Sequence, residues 1–425
     1  MIELEEARRL VLAACAPLPS VGLGLAEALG CVTAAAVHAR GPVPPFDNTA
    51  MDGFAVRSED TAGATPEAPA KLTVSGTLAA GAPPDIEVRP GCAVRIMTGA
   101  PLPPGADAVV MVERTRPTED GAAVLVEAEA RPGDHVRRAG GDLPSGAEVF
   151  GPGTVLGPGH IGVLASVGLD RVEVVRRARV GVLSTGDELV DGGGPLRPGQ
   201  IRDSNRPALL ALARSSGCDA VDLGVARDEP GRIRSALERG LESCDAVVTS
   251  GGVSVGDFDY VKAVLDELTR GTMRWMQVAI RPAKPFAFGA VDGVPLFGLP
   301  GNPVSSLVSF ELFARPALRL MMGHPRLHRP MVLALADEDF RRQPDGKVHF
   351  VRAVAETGPD GRVHVRSSGG QESHMLRAMA IANALVVLPD GDGIEAGASV
   401  EAMLLSSDSP SSWDGGAERH RGRPG

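Results

Sequence analysis

The sequence predicts a multidomain protein of the α/β plus β class, in which an α/β domain with a mostly parallel sheet accompanies two smaller β-rich regions. Its 425 residues exceed the length of one ordinary domain. Between residues 178 and 323, apolar runs of strand length alternate with helical spacing, which indicates a parallel sheet with helices on both faces. On either side, short β-like runs separated by Gly- and Pro-rich turns favour small β domains.

The N-terminal third divides into a helical start and a β-rich stretch. LEEARRLVLAACAPL (4–18) has leucine and valine at helical spacing, and LGLAEALGCVTAAAVHA (23–39) is typical of a second short helix that leads into a strand. Residues 41–140 contain runs such as CAVRIMTG and AVVMVERT and predict a small β-rich domain. Residues 141–177 form a connector that we expect to pack with residues 1–40 as one segmented linking domain.

The predicted α/β domain, residues 178–323, begins with the strand RVGVLSTG and also contains the buried strand DAVVTS. Asn205 is placed to cap the helix PALLALARSSG, and Gly217 to end it. PFAFGAVDGVPLFGL predicts a hairpin with an Asp-Gly turn, and a long apolar helix follows it. Residues 324–405 predict a small β-barrel, and the polar, aperiodic residues 406–425 predict a disordered tail.

Composition excludes several classes of function. The formal net charge is −10, whereas wholesale nucleic-acid binding needs a basic surface. No apolar run is long enough to span a bilayer and no N-terminal stretch has the order of a signal peptide, so we expect a protein without membrane segments. The five cysteines are dispersed, odd in number and free of CxxC spacing, which disfavours a zinc site and favours the reducing cytoplasm.

Four loops rich in glycine or acids follow the predicted strands of the α/β domain. Ligands bind beyond the carboxyl ends of the strands in an open parallel sheet, so we expect these loops to meet at one edge. Glycines let backbone N–H groups approach an anion, and carboxylates beside a bound polyphosphate require a bridging cation, which implies Mg²⁺. The loops are STGDEL (184–189), ARDEP (226–230), SGGVSVGDFD (250–259) and GLPGNPVS (298–305), and their acids include Asp187, Glu188, Asp228, Asp257 and Asp259.

Each of these signals has a purely structural alternative. Asp228 could be the N-cap of the helix that follows it, and Asp257 could cap the helix YVKAVLDEL. Asp187 and Glu188 could be first-turn acids that a helix dipole favours. GLPGNPVS alone is an ordinary strand-to-helix turn. The four loops together favour a ligand site more strongly than any one of them does.

A second candidate group is basic. VAIRPAKPFAFG (278–289) presents Arg281 and Lys284 on a backbone that prolines hold extended. The segment could be a solvated surface turn, but two cations on a rigid backbone also favour a preorganised oxyanion seat. In the last predicted domain, Arg352 and Ser373 lie in polar, glycine-marked stretches.

One loop of the N-terminal half is both apolar and acidic. PPFDNTAMDGFAVR (44–57) combines phenylalanine and methionine with Asp47 and Asp52. It could be a packed Ω-loop or a loop that docks against a partner surface. Further along, RIMTGAP predicts another turn that could accommodate a phosphate. In RRAGGD, two arginines lie close to Asp142 in the sequence.

Six motifs stand in this chain in a characteristic order: PPFDNTAMDGFAVR, RIMTGAP, STGDEL, SGGVSVGDFDY, RPAKPFAFG and GLPGNPVS. In this order they resemble the MoeA family of molybdopterin molybdenumtransferases, to which the E domain of gephyrin and its plant counterpart belong. The resemblance covers residues 3–405, and the motifs together are highly specific.

The resemblance implies an elongated homodimer, with the active site between the MogA-like α/β domain of one subunit and the inserted β domain of the other. The implied substrates are molybdate and adenylylated molybdopterin, and the implied metal is Mg²⁺. The reaction would cleave the pyrophosphate, transfer molybdenum to the dithiolene and release AMP. The implied protein partners are a MogA-like adenylyltransferase, which supplies the substrate, and the molybdoenzymes that receive the product.

The resemblance also assigns roles to individual residues. Catalytic roles fall on Asp52, Asp142, Glu188, Asp228, Asp259 and Lys284. Substrate-binding roles fall on Thr98, Ser250, Gly251, Gly252, Arg281, Pro285, Pro300, Ser305, Arg352 and Ser373. The metal-binding set is Asp187, Glu188, Asp228, Asp257 and Asp259.

Two positions depart from the family pattern. The family usually has glycine where this chain has Ala283, and many members have lysine where it has Gln277. If the loop needs positive φ at position 283, alanine strains it, and Gln277 removes one cation. We expect weaker molybdate binding with activity retained.

Two other functions stay open at the level of sequence. MogA-type adenylylation of molybdopterin is the nearest, although such proteins carry a GGTG-type loop where this chain has SGGVSVGDFD. A non-catalytic scaffold is the other, and the retained acids together with Arg281 and Lys284 argue against it. A generic nucleotide hydrolase would differ from both by releasing AMP without molybdate.

Overall fold

The computed structural model describes residues 1–252 and 260–406. The chain divides into two compact units. The first comprises Met1–Val21, Gly30–Val32 and Val175–Gly425, and the second comprises Gly22–Leu29 and Thr33–Val174. The predicted tail lies outside the described residues except for Ser406. The finer division into four domains stays a prediction.

The chain begins with helix α1 (Leu4–Ala13), which buries Ala7 and Val11 in the core of the first unit. The elements that follow are β1 (Ser20–Gly24), α2 (Leu25–Ala28), β2 (Val32–Thr33), β3 (Val37–His38), β4 (Asn48–Thr49), β5 (Gly53–Val56), β6 (Ala70–Leu78), β7 (Cys92–Ile96), β8 (Ala108–Met111), β9 (Thr115–Pro117), β10 (Ala123–Val126), β11 (Val136–Arg137), β12 (Glu148–Phe150), α3 (Pro158–Ser166) and β13 (Arg171–Val175).

Six of these strands form one sheet in the order β8-β5-β7-β6-β10-β9, which confirms the predicted β-rich region. One face of the sheet packs buried apolar residues such as Leu72, Ala93 and Val124 into a single core. The second predicted helix is only the single turn α2. It ends early because Gly30 adopts a left-handed φ of 80° and the β-branched Val32 enters a strand.

The mostly parallel sheet predicted for the α/β region is confirmed. Its elements are β14 (Arg179–Thr185), β15 (Leu189–Val190), β16 (Ile201–Arg202), α4 (Asn205–Ser215), β17 (Asp219–Ala226), α5 (Pro230–Ser243), β18 (Ala246–Ser250), α6 (Tyr260–Leu268), β19 (Arg274–Gln277), β20 (Ile280–Arg281), β21 (Pro285–Val291), β22 (Val294–Leu299), α7 (Pro303–Ser309) and α8 (Arg315–Met321). The strand order is β17-β14-β18-β22-β21-β19, and the first four strands are mutually parallel.

Local sequence explains most of these boundaries. The β21–β22 hairpin turns at Asp292 and Gly293, both of which have positive φ, as the Asp-Gly turn requires. The predicted long apolar helix is α7 and α8 joined by a π-helical turn at Phe310–Ala314. The cap prediction for Asn205 is wrong: it is the first residue of α4, and Ser204 is the cap.

The C-terminal strands close into the predicted β-barrel. Its elements are β23 (Met331–Ala336), β24 (Phe340–Arg341), β25 (Val348–Thr357), β26 (Val363–Ser367), α9 (Leu376–Ile381), β27 (Ala384–Leu388), β28 (Gly393–Ile394) and β29 (Ser399–Leu404). Five strands pair in the order β25-β26-β23-β29-β27, and β27 pairs with β25 to complete the ring. Small buried residues such as Ala353 and Ala402 fill its core. Within the described ranges, no helix is long and apolar enough to cross a membrane.

Candidate functional site

The carboxyl ends of four parallel strands meet at one edge of the α/β sheet. The register pairs Thr185 with Ala226, Ser184 with Ser250, and Ser250 with Leu299. Beyond this edge lies a cavity of about 850 Å³, which we call the strand-end cavity. The predicted site residues on its wall are Glu188, Asp228, Ser250, Gly251, Gly252, Pro285 and Pro300. The structure therefore brings the four predicted loops together.

Glycine is required at two successive positions on this wall. Gly251 and Gly252 have φ values of 101° and 72°, a left-handed conformation that side-chain-bearing residues rarely adopt. A Cβ on Gly252 would lie 2.2 Å from the Cβ of Val261, and one on Gly251 would lie 2.8 Å from the carbonyl oxygen of Thr185. The close approach of backbone that anion binding needs is thus built into this loop.

The carboxylates of the first two loops form a linked pair. The backbone N–H of Asp187 donates to Oδ2 of Asp228 (3.4 Å), and the backbone N–H of Asp228 donates to Oδ1 of Asp187 (3.2 Å). Both structural alternatives for these acids are excluded. Helix α5 begins at Pro230 with Glu229 as its cap, so Asp228 is not a cap. Asp187 and Glu188 lie in a turn that leads into β15 and not in a helix.

The donor set suits a hard divalent cation. Asp187 and Asp228 each keep one carboxylate oxygen without a hydrogen-bond partner within the described residues. Glu188 is exposed, and its carboxylate lies over Gly186, where an added Cβ would be 2.6 Å from Oε2. The described ranges contain no complete cluster of three metal-ligating side chains. Asp257 and Asp259, the other predicted ligands, lie outside the described residues.

The predicted oxyanion residues are divided between two cavities. Pro285 lines the strand-end cavity, whereas Arg281 and Arg352 line a second cavity of about 640 Å³, which we call the barrel cavity. Arg352 is 1% exposed and donates from Nη2 to the carbonyl oxygens of Gly370 (3.1 Å) and Glu372 (3.2 Å). Its Nε has no partner in the described part of the chain. Burial lowers the pKa of this guanidinium.

The other predicted oxyanion residues contribute in different ways. Lys284 is exposed, and its carbonyl oxygen accepts a hydrogen bond from the N–H of Val278 (2.8 Å). Ser305 is buried in the first turn of α7. The carbonyl oxygen of Ser373 accepts a hydrogen bond from the N–H of Val304 (3.1 Å), which anchors the start of that helix.

Ala283 occupies a left-handed conformation. Its φ is 77°, and its side chain is 3% exposed within the main apolar core. An L-residue other than glycine pays about 1–2 kcal/mol for this backbone region. Position 283 therefore has the positive φ on which the expected strain depends.

Three predicted residues lie in the second unit. Oδ1 of Asp52 accepts hydrogen bonds from the backbone N–H (2.6 Å) and the hydroxyl (2.8 Å) of Thr98. These bonds lower the pKa of Asp52, the backbone bond contributing most. Asp142 is exposed, and its N–H donates to the carbonyl oxygen of Val43 (3.0 Å). Asp52 and Thr98 are thus a hydrogen-bonded pair.

The acidic, apolar loop of this unit is anchored on one side and exposed on the other. Asp47 accepts hydrogen bonds from Nη1 of Arg138 (2.6 Å) and the N–H of Ala139 (2.8 Å). Phe46 and Met51 remain 45% and 43% exposed.

Several polar residues on the cavity wall are not among the predicted site residues, and Asn205 is one of them. The sequence favours a helix cap at Asn205, yet its side chain reaches Ser250 and Gly301. No sequence signal indicated this contact, because the preceding strand, β16, pairs with β15 and is not part of the six-stranded sheet. His374 also lines the strand-end cavity and carried no sequence signal.

Three family profiles match successive parts of the chain. "MoeA N-terminal region (domain I and II)" matches residues 2–168, "Probable molybdopterin binding domain" matches residues 181–320, and "MoeA C-terminal region (domain IV)" matches residues 335–405.

Similar proteins match over nearly their whole length. Molybdopterin molybdenumtransferase 2 of Mycobacterium tuberculosis is 40% identical over 411 residues, which cover 95% of this chain and 99% of that protein. The molybdopterin molybdenumtransferase of Haemophilus influenzae is 37% identical, with coverage of 94% and 98%. The crystal structure of a molybdopterin biosynthesis moeA protein from Pyrococcus horikoshii has a TM-score of 0.79 at 30% identity and covers 96% of this chain and 99% of that one.

Proposed function

Because the chain belongs to the MoeA family of molybdopterin molybdenumtransferases, we propose that it inserts molybdenum from molybdate into adenylylated molybdopterin, in a Mg²⁺-dependent reaction that releases AMP. The observation that carries the proposal is the strand-end cavity. Its wall joins a glycine loop that can approach phosphate to acidic side chains that can bind a cation.

The glycine loop is the proposed seat of the pyrophosphate. Gly251 and Gly252 allow the backbone to approach a phosphate without interference from Cβ atoms. Ser250, which is 2% exposed at the end of β18, precedes this loop, and its hydroxyl accepts a hydrogen bond from Nδ2 of Asn205. A pyrophosphate in this position is oriented and partly removed from water, which favours cleavage of the anhydride bond and departure of AMP.

Glu188, Asp187 and Asp228 would hold Mg²⁺, with Asp257 and Asp259 as further ligands. When bound, the ion would neutralise charge that develops on the phosphate oxygens. The carboxylates alone would repel a polyphosphate, so the same residues exclude this substrate when no cation is bound. The reciprocal bonds of Asp187 and Asp228 keep the two carboxylates in place before any ligand arrives.

Molybdate is the proposed second substrate. Arg281, Lys284 and Arg352 supply positive charge and N–H donors suited to a tetrahedral oxyanion, and Ser305 and Ser373 are the proposed hydroxyl donors. Pro285 joins this group to the strand-end cavity. We propose that molybdate approaches past Arg281 and Arg352, which line the barrel cavity together with both basic and acidic side chains, and reacts near Pro285 and Pro300.

The active enzyme is proposed to be a homodimer. Asp52, Thr98 and Asp142 of a second copy would complete the site of the first, and the exposed Phe46 and Met51 support a loop that meets a partner surface. Further proposed partners are a MogA-like adenylyltransferase and molybdoenzymes. All five cysteines are free thiols, which supports the cytoplasm as the compartment.

The test is the release of AMP from adenylylated molybdopterin by the purified protein, measured with and without molybdate. The proposal expects release that requires both molybdate and Mg²⁺. A scaffold would release no AMP, a nucleotide hydrolase would release AMP without molybdate, and an adenylyltransferase would consume ATP and unmodified molybdopterin. Each of those three results would overturn the proposal.

A further inference from the structure

Asn205 joins the two glycine-containing loops of the strand-end cavity. Its Nδ2 donates to Oγ of Ser250 (2.7 Å), at the end of β18, and to the carbonyl oxygen of Gly301 (2.6 Å), in the turn between β22 and α7. A primary amide nitrogen carries two hydrogens, and here each hydrogen bonds to a different loop. One side chain therefore connects the end of the third strand of the sheet to the end of the fourth.

The acceptor at Gly301 fixes the orientation of this amide. A carbonyl oxygen can only accept, so Nδ2 and not Oδ1 must face Gly301. Oδ1 is consequently buried without a hydrogen-bond partner within the described residues. An unpaired buried acceptor is costly and rare in native proteins, so it requires an explanation. The two hydrogen bonds that Nδ2 donates in this orientation compensate for the unpaired oxygen.

The two loops are also in direct contact. The N–H of Gly251 donates to the carbonyl oxygen of Leu299 (3.1 Å), and a Cβ on Gly301 would lie 3.8 Å from the Cα of Gly251. Oγ of Ser250 lies 3.5 Å from Oγ of Ser306 in α7. The loop and the turn thus form one continuous surface. Asn205, at the start of α4, is hydrogen-bonded to both of them.

We infer that Asn205 is a positioning residue, which fixes the Ser250–Gly252 loop against the Pro300–Pro303 turn. The distance between the loop and the turn is thereby constant, and their backbone groups are positioned to contact the phosphates of the substrate. The inference deepens the proposed function and rests on it for the identity of the substrate. It assigns Asn205 no proton transfer and no contact with reacting atoms.

Asn205→Asp is the most informative variant. It preserves the shape of the side chain but places a carboxylate oxygen where Nδ2 faces the carbonyl of Gly301, so a hydrogen bond becomes a repulsion. We expect amide exchange at Leu299, Gly301 and Asn302 to accelerate roughly tenfold in hydrogen–deuterium exchange, because the carbonyl of Gly301 loses the bond that opposes local opening. The Ser250 hydroxyl can donate to the new carboxylate, so exchange in its loop should change less. We also expect KM for adenylylated molybdopterin to rise roughly tenfold, with a smaller change in kcat, because the acids and cations are untouched.

Two further variants keep the test decisive. Asn205→Ala removes both bonds without adding charge, and it replaces Asn205→Asp if the aspartate variant fails to fold. Ser204→Ala is the matched control: Ser204 caps the same helix, and its side chain makes no capping hydrogen bond, so exchange in both loops should match wild type.

Unchanged exchange at Leu299, Gly301 and Asn302 in folded Asn205→Asp, or in either loop of folded Asn205→Ala, would overturn the inference. So would a loss of activity that merely follows the loss of folded protein, with KM unchanged. Failure of the proposed function is separately visible, because wild type would then release no AMP. Faster exchange in both loops would support the link that Asn205 makes even in that case.

Discussion

Asp187 and Asp228 each accept a hydrogen bond from the backbone N–H of the other, although 41 positions separate them in the chain. The parallel pairing of β14 with β17 creates this relationship, because it places Thr185 beside Ala226 and so brings the two following loops together. We propose that these two carboxylates, held side by side at the end of a parallel sheet, form part of a cation site.

Asp228→Asn tests that seat. The asparagine oxygen still accepts the bond from the N–H of Asp187, so we expect the melting temperature to stay within about 3 °C of wild type. Loss of one negative charge should raise the Mg²⁺ concentration for half-maximal AMP release at least about tenfold. Asp219→Asn, at the opposite end of β17, is the control. An unchanged Mg²⁺ requirement in Asp228→Asn would remove Asp228 from the metal site.

Ala283→Gly tests the left-handed backbone between Arg281 and Lys284. Relief of that conformation gains about 1–2 kcal/mol, loss of one buried methyl group costs about 0.8 kcal/mol, and the freedom of glycine in the unfolded chain costs about 0.5–1 kcal/mol. We therefore expect the free energy of unfolding to stay within about 1 kcal/mol of wild type in chemical denaturation, and molybdate binding to be several-fold tighter by isothermal titration because the loop can relax.

Ala287→Gly is the matched control for that substitution. Ala287 is fully buried in β21, a strand that begins two residues after Ala283, and its φ is not positive. Glycine there loses the same methyl group and gains backbone freedom in the unfolded state, so we expect a destabilisation of about 1–2 kcal/mol. Equal molybdate affinity in wild type and Ala283→Gly would refute a cost of Ala283 to binding.

His324 makes the first unit sensitive to acid. It is 9% exposed, and burial, then Arg319, Arg315 and Arg177, lower its pKa to about 4 from 6.5. Between pH 6.5 and 4, this histidine binds a proton more readily in the unfolded chain than in the folded protein. The free energy of unfolding therefore has its full value above about pH 6.5 and decreases as the pH falls toward 4. The difference corresponds to at most about 3 kcal/mol.

An NMR titration checks this directly: the ring signal absent from His324→Gln should titrate near pH 4 in wild type. The variant should also lose less stability than wild type between pH 6.5 and 4. Titration of that signal near 6.5 would contradict the account.

A site shared between two copies predicts complementation. Asp52→Asn and Asp228→Asn would each be weakly active alone, because each damages every site of its dimer. Mixed after subunit exchange, half of the dimers would carry one doubly altered and one intact site, so about a quarter of wild-type AMP release should return. No recovery despite proven subunit exchange would show that both residues serve the same chain's site.

The sequence predicted those features that follow from strand order and backbone chemistry. The loops after β14, β17, β18 and β22 converge because parallel strands end at one edge, and Gly251 and Gly252 have the positive φ that their residue type suggests. The strain at Ala283 was also predictable, because a residue type unusual for its loop indicated a conformation that glycine would favour.

Side-chain partners chosen by tertiary packing were not predictable. Asn205 has the residue type and the position typical of a helix cap. Only its hydrogen bond to Gly301 shows that its side-chain amide faces another loop. The sequence around Asp228 is equally compatible with a helix cap, and only the start of α5 at Pro230 excludes that role. Arg281 and Arg352 line a different cavity from Pro285, a division that depends on how the barrel strand β25 meets β20.

The most direct test of the central claim is a crystal structure of the protein soaked with AMP, Mg²⁺ and molybdate. We expect the AMP phosphate against Ser250–Gly252 in the strand-end cavity, with the cation on the carboxylates of Asp187 and Asp228 and molybdate within reach of Lys284 and Arg352. Nucleotide bound elsewhere, with this cavity holding only water, would contradict it.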